Sequence, residues 1–411
     1  MAKIGILYFI PNKDRVGGIG GRSPLKKAVN KNCELFQSPK LTIGFTQIIS
    51  EIDKIHQVDY VDVSDEWADY WLASLVSWYD VYNLIRALKG RPPKKARLII
   101  GGAGVINPWI LQDMIYAACI GRGEGLINRI IDGDLTIPNV FYSTNPDRII
   151  TIGQATQQIS TARETEAAIG CPKKCFFCEY GWKYKYINWS GQYSEYSNGE
   201  TFFQDIDFLN IGHATAGLDG ITERERAIVN KPLSRYKIIE TLSKHTKRDN
   251  YRLKLFCVTG YPFTDGYNFN EWEDTLREAA KYVKKPITIM LSISHFCPMP
   301  FTPMEEDRVV FCDRQQQAPI KVGNIKWGTY LQGTTYSSAA YEAMLYRGLY
   351  DDKIADFVLL NAPSGETAYK IREKYPYIIQ GGYLPVPLIQ RYNSTEKAKK
   401  IYKQRIAACL Q

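Results

Sequence analysis

The chain has 411 residues, 45% hydrophobic and 23% charged, a balance that excludes a disordered chain and leaves room for two or three packed cores. Lysine plus arginine outnumber aspartate plus glutamate by 52 to 43, a net charge of +9 that is compatible with a polyanionic partner without demanding one. No apolar run is long enough to span a bilayer and the first residues show no cleavage pattern, so nine cysteines predict reduced thiols in a cytoplasmic protein with no membrane partner.

In chain order, residues 4–10 predict a strand, 43–55 a helix, 58–63 and 70–76 strands, and 79–88 a helix. A short strand at 97–100 ends in Gly101-Gly102, and another at 114–120 ends in Gly121-Arg122-Gly123-Glu124. Strands alternating with helices predict an α/β domain over residues 1–150, a Rossmann-like, doubly wound parallel sheet with ligand loops at the C-terminal strand ends. Both glycine turns fall at such ends, although a tight strand-to-helix turn explains either one alone. The glycine-rich stretch 16–23 fits a phosphate cradle and a flexible insertion about equally well.

Residues 151–165 read as a linker and lead-in strand. Strand-like runs at 202–208, 253–259 and 287–294 then alternate with helical patterns at 223–229, 236–244 and 271–283. That alternation predicts a full or partial (β/α) barrel over 151–305. Residues 306–411 lose this rhythm and predict a small, mostly helical extension, with helices near 337–349 and 397–405.

The decisive stretch is Gly170-Cys171-Pro-Lys-Lys-Cys175-Phe-Phe-Cys178. Three thiolates at this spacing can each bind a different iron of one cubane, leaving the fourth iron open to substrate. Zinc also takes thiolates, but it normally wants four ligands in paired short spacings. Here the next cysteine is Cys257 and the nearest downstream histidine is His213, so a zinc site fits less well.

The CxxxCxxC spacing, with Phe177 before the last cysteine, resembles the radical S-adenosylmethionine superfamily. The resemblance extends to its cobalamin-binding-domain class. Ala216–Lys231 is similar to a G-x-x-G-x-x-x-R-x-x-x-x-x-K stretch, Val258-Thr-Gly-Tyr-Pro262 to an x-x-G-x-P strand end, and Phe296-Cys-Pro-Met-Pro-Phe-Thr-Pro303 to an F-x-P-x-P-x-T-P run. Upstream, the Gly101-Gly102 and Arg122-Gly123-Glu124 turns resemble those of the cobalamin-binding domain. The resemblance implies that Cys171, Cys175 and Cys178 hold a [4Fe–4S] cluster whose open iron chelates S-adenosylmethionine. One electron from a flavodoxin- or ferredoxin-type donor then gives a 5′-deoxyadenosyl radical that abstracts hydrogen from substrate.

By the same resemblance, Phe177, Gly260 and Pro262 lie against S-adenosylmethionine, and Ser74, Gly101, Gly102, Gly123 and Glu124 line a cobalamin site. The Asp-x-His-x-x-Gly signature that ligates cobalt is absent, which leaves cobalamin open as a second cofactor. Methyl or alkyl transfer to an unactivated carbon is the implied reaction. Cys257, Cys297 and Cys312 are the candidate hydrogen donors to a product radical, against the default of small buried hydrophobes. The aromatic and basic run at 180–196, including Trp182, Lys183, Tyr184 and Lys185, fits either a lid over the radical or stacking with a nucleic acid. The second option makes modification or repair of a nucleic-acid base the alternative function.

Overall fold

The computed structural model describes residues 1–7, 43–190, 203–355, 373–374 and 393–410, apart from short internal stretches of which 311–318 is the longest. The glycine-rich stretch at 16–23 and Cys312 lie outside these residues.

The first sheet is built by β1 (Lys3–Leu7), β2 (Gln57–Val61), β3 (Tyr70–Ser74), β4 (Arg97–Gly101), β5 (Ala117–Cys119) and β6 (Val140–Tyr142). Its order is β2-β1-β3-β4-β5-β6, parallel except for the antiparallel edge pair β5–β6. This is the doubly wound order in which ligands sit beyond the C-terminal strand ends. Buried runs such as Leu98-Ile99-Ile100 explain the strands, since a sheet covered on both faces needs apolar residues at consecutive positions. Helices α1 (Ile43–Ile52), α2 (Trp78–Leu88) and α3 (Leu126–Ile131) cover it.

A second sheet has the order β12-β13-β11-β10-β9. Strands β9 (His213–Gly217), β10 (Tyr251–Thr259), β11 (Ile287–His295) and β13 (Ile325–Tyr330) are parallel, and β12 (Ile320–Val322) is an antiparallel edge. Helices α5 (Glu223–Ile228), α6 (Arg235–Ser243) and α7 (Asn270–Ala280) accompany it, and the described strands form an open sheet rather than a closed barrel. The strand expected at 202–208 is instead a short 3-10 turn at Phe203–Asp205. Phe203 and Ile206, three apart, are buried in one core while Asp205 is exposed, a helical rather than an alternating spacing. The β12–β13 hairpin, which sequence rhythm did not reveal, turns at Gly323-Asn324 with Gly323 at φ 56°.

The C-terminal third is woven into both halves. Helix α8 (Tyr336–Tyr346) is buried in the same core as first-sheet residues Leu98 and Ile100 and as Cys297 and Phe301, which follow β11. Helix α9 (Asn393–Leu410) packs Ala398 and Tyr402 into a small cluster with Phe176 and Trp182.

Candidate functional site

The cysteine loop starts where β7 (Ala168–Ile169), the antiparallel partner of β8 (Ile187–Asn188), ends at Gly170, and it closes on the short helix α4 (Glu179–Lys183). Its path needs left-handed backbone at Gly170 (φ 71°) and Lys174 (φ 49°). Gly181 lets α4 lie against the loop, because a Cβ there would stand 3.2 Å from the Lys174 Cα. The loop is tied down by a Phe176 N–H to Val229 O bond of 2.8 Å and a Trp182 Nε1–H to Cys175 O bond of 2.8 Å. Asn230 Nδ2 donates to Lys173 O and Lys174 O, both at 3.2 Å.

Cys171, Cys175 and Cys178 line one small recess together with Lys174, Asp219 and Lys231. Burial pushes the Cys175 thiol well above its usual range, with the Lys231 ammonium the strongest opposing influence. Burial also pushes Cys178 up to about 11, although Gly181 and Tyr180 backbone N–H groups favour its thiolate. Metal-free Cys175 and Cys178 therefore hold their protons at neutral pH, and a bound metal has to displace them. Among the described residues, no group of three or more His, Cys, Asp or Glu side chains forms a site for a single ion. A cubane asks for something else, since its thiolates bind irons at separate corners, and three sulfurs facing one recess with N–H donors on Cys178 suit that demand.

Nothing in the sequence sets Asp219 and Lys231 apart within the 216–231 stretch, but the structure brings them together. Asp219 Oδ2 and Lys231 Nζ are 2.8 Å apart, and each side chain is only 8% exposed. Asp219 stands just beyond β9 in left-handed backbone (φ 57°), and its carbonyl accepts from Tyr261 OH at 2.8 Å. The turn is fixed by Arg226, which donates to Gly220 O and Ile221 O at 2.9 Å and to Leu233 O at 2.7 Å. Thr222 and Glu225 add a reciprocal capping box at the start of α5. A carboxylate and an ammonium side by side in a shielded recess complement the ammonium and carboxylate of an α-amino acid.

Phe177 reaches the second sheet, its ring centroid 6.1 Å from that of Tyr261, between Gly260 and Pro262. The structure thus brings the cysteine loop to the Gly260–Pro262 turn. Gly260 has φ 72°, and a Cβ there would meet His295 Cδ2 at 3.1 Å. Cys257 lies in the helix-covered core of the second sheet, whereas Cys297 lies in the core shared with α8. Trp182 and Lys183 are buried, Lys183 on Glu179 at 2.8 Å, so neither presents a free face to a nucleic acid.

Ser74, Gly101, Gly102, Gly123 and Glu124 all line a single open cavity at the C-terminal ends of β3, β4 and β5. Its other walls are mainly apolar, with Leu72, Ile99 and Ile127. Cβ atoms at Gly101 and Gly123 would meet only ordinary van der Waals neighbours at 3.7 and 3.6 Å. A Cβ at Gly102 would stand 2.3 Å from Leu75 O, so that glycine serves the fit of two backbone segments rather than ligand approach. Glu124 is held by Arg122 at 3.0 Å, and Arg122 also binds Glu166 at 2.7 Å. Open glycines against aliphatic walls leave room for a flat apolar group.

No protein-family profile matches the chain, and no curated protein matches it in sequence. Solved structures similar to it include three of the cobalamin-dependent S-adenosylmethionine radical enzyme OxsB. The aqua-cobalamin form is 12% identical over 66% of this chain and 45% of that one, with a TM-score of 0.23. The form with aqua-cobalamin and S-adenosylmethionine is 12% identical over 92% and 62%, with a TM-score of 0.24. The apo form is 10% identical over 98% and 61%, with a TM-score of 0.27. This chain spans less than two thirds of that enzyme's length, and at such scores the likeness carries no weight for a shared activity.

Proposed function

We propose that this chain is a radical S-adenosylmethionine enzyme acting on an unactivated carbon. The supporting observation is the recess in which Cys171, Cys175 and Cys178 share walls with the Asp219–Lys231 pair. Cys171, Cys175 and Cys178 would hold a [4Fe–4S] cluster, which supplies the electron that breaks the sulfonium of S-adenosylmethionine. Asp219 and Lys231 would steady the amino-acid end of that cosubstrate, whose amino and carboxylate groups the open iron would chelate. Phe177 and the Gly260–Pro262 turn would fix its nucleoside, and burial of Trp182 and Lys183 beside the loop keeps water from the reacting end. The cavity at Ser74, Gly101, Gly123 and Glu124 would hold cobalamin, which makes methyl or alkyl transfer the reaction class.

Anaerobic reconstitution with iron and sulfide, followed by reduction with S-adenosylmethionine present, tests the proposal. The expected product is 5′-deoxyadenosine or a demethylated cosubstrate, both absent in Cys175→Ala. Full turnover in that variant, or none in iron-loaded protein of the natural sequence, overturns it. A corrin absorbance spectrum after incubation with cobalamin tests the second cofactor separately.

A further inference from the structure

The back of the cysteine loop is covered by the end of the chain. Arg405 on α9 donates through Nη1 to Ala227 O at 2.8 Å and to Asn230 Oδ1 at 3.2 Å. Asn230 is the residue whose amide nitrogen holds Lys173 O and Lys174 O, between the first two cysteines. The Arg405 guanidinium carbon also lies 5.1 Å from the ring centroid of Phe176, the residue after Cys175. Tyr402 meets the same ring edge-on at 5.9 Å, and its hydroxyl donates to Asp307 Oδ2 at 2.6 Å. Lys399, only 7% exposed, anchors the helix on Glu305 at 2.7 Å and Glu306 at 3.1 Å.

One guanidinium thus orients an amide that holds two carbonyls of the loop, and it also packs on the loop's central ring. These contacts fall on the face of α9 that carries Lys399, Tyr402 and Arg405, whereas Lys397, Lys400 and Lys403 are exposed. We propose that α9 is a clamp on the cysteine loop and that Arg405 is a positioning residue for the cluster, acting through Asn230 and Phe176. The proposal rests on the cluster reading for its functional meaning, and the clamp itself can be measured without any metal. Both bonds leave one nitrogen, Nη1, while the plane of the guanidinium also lies over the Phe176 ring, and a lysine ammonium has no such plane to stack while it donates to Ala227 O and Asn230 Oδ1.

The test is amide hydrogen exchange in metal-free Arg405→Gln, Arg405→Lys and Tyr402→Phe proteins, followed by iron release to a chelator after reconstitution. The Phe176 amide should exchange about tenfold faster in Arg405→Gln and by an intermediate factor in Arg405→Lys, at an unchanged melting temperature. Iron should leave the reconstituted Arg405→Gln protein about tenfold faster. Should Arg405→Gln fail to fold, Tyr402→Phe removes only the Asp307 bond and should give the same local change at smaller size. Unchanged exchange at Phe176, or acceleration spread evenly over the whole chain, overturns the clamp. If the natural protein binds no iron, the cluster reading fails while the exchange result still decides the clamp.

Discussion

Lys231→Met is the perturbation that most sharply tests the recess. The pair it breaks has a 2.8 Å contact and two side chains that are 8% exposed, so Asp219 would be left as an uncompensated buried carboxylate. Removing one partner of such a pair costs about 3–5 kcal/mol, most of it the stranded charge rather than the lost attraction. Methionine keeps much of the lysine stem's volume, which limits the added cavity cost. Asp219→Asn combined with Lys231→Met leaves no charge behind, and the double variant should recover most of that stability. Affinity for S-adenosylmethionine should behave differently. A neutral recess cannot receive an ammonium and a carboxylate, so the double variant should bind it as poorly as the single one. Urea unfolding of metal-free protein and equilibrium dialysis of reconstituted protein give the two readouts. A cost under about 1 kcal/mol for Lys231→Met refutes the stranded-charge argument. Undiminished binding by the double variant refutes the amino-acid receptor.

Asp307 offers a pH test: burial raises its carboxyl from 3.8 to about 6, so the folded state prefers the proton, and that stabilisation is complete below the unfolded value and lost as pH rises through about 6. A shift of roughly two units corresponds to about 3 kcal/mol at most, so Asp307→Asn should match the natural protein in urea at pH 3.5 and exceed it by about 2 kcal/mol at pH 8; a pH-independent difference contradicts this. Gly102→Ala should lower the melting temperature through its clash with Leu75 O, whereas Gly101→Ala should fold normally and weaken corrin retention, read from the bound absorbance; the reverse ranking removes the cavity argument. Trp182→Ala should cost about 3–5 kcal/mol as a buried large-to-small change and leave single-stranded DNA affinity unaltered at two salt concentrations, and a fall in that affinity would favour a nucleic-acid substrate.

The sequence showed the elements whose pattern is local. Consecutive apolar residues marked β3 and β4, and the apolar runs in β10 and β11 marked the second sheet. The glycine turns after β4 and β5 were legible as strand ends, and they do line one cavity, although Gly102 there serves the fit of backbone against Leu75. The error at 202–208 came from aromatic content, which suits strands, outweighing a spacing of three between Phe203 and Ile206. The β12–β13 hairpin did carry a signal, the Gly323-Asn324 turn between two short apolar runs. Asp219 and Lys231 form a pair only through the turn that Arg226 fastens, a contact that charge spacing alone does not encode. Arg405 and Phe176 touch in space but lie in distant parts of the sequence, so no window along the chain could have joined them.

The two recesses are joined by polar contacts that leave little slack. Gly121 forms a backbone bridge to Gly153, and Arg122 of the same turn reaches Glu166 in the approach to the cysteine loop. Gln154, next to Gly153, donates to Lys183 O at 3.0 Å and accepts from the Lys185 N–H at 2.8 Å, fastening the end of α4. A Cβ at Gly153 would lie 2.3 Å from Asn139 Nδ2 and 2.6 Å from Arg122 O, so this junction tolerates no side chain. Helix α8 seals the other side, with Asn107 Nδ2 donating to Tyr346 O at 3.2 Å. A cofactor lodged against Gly123 and Glu124 and a cosubstrate lodged against Cys178 would therefore be held by one connected framework. Transfer of a carbon group between two such ligands needs a fixed mutual geometry, since misplacement by an ångström costs about a hundredfold in rate. These contacts run through Gly153 and Gln154, within the stretch 151–165 that reads in the sequence as a linker and lead-in strand, and through Glu166 just after it.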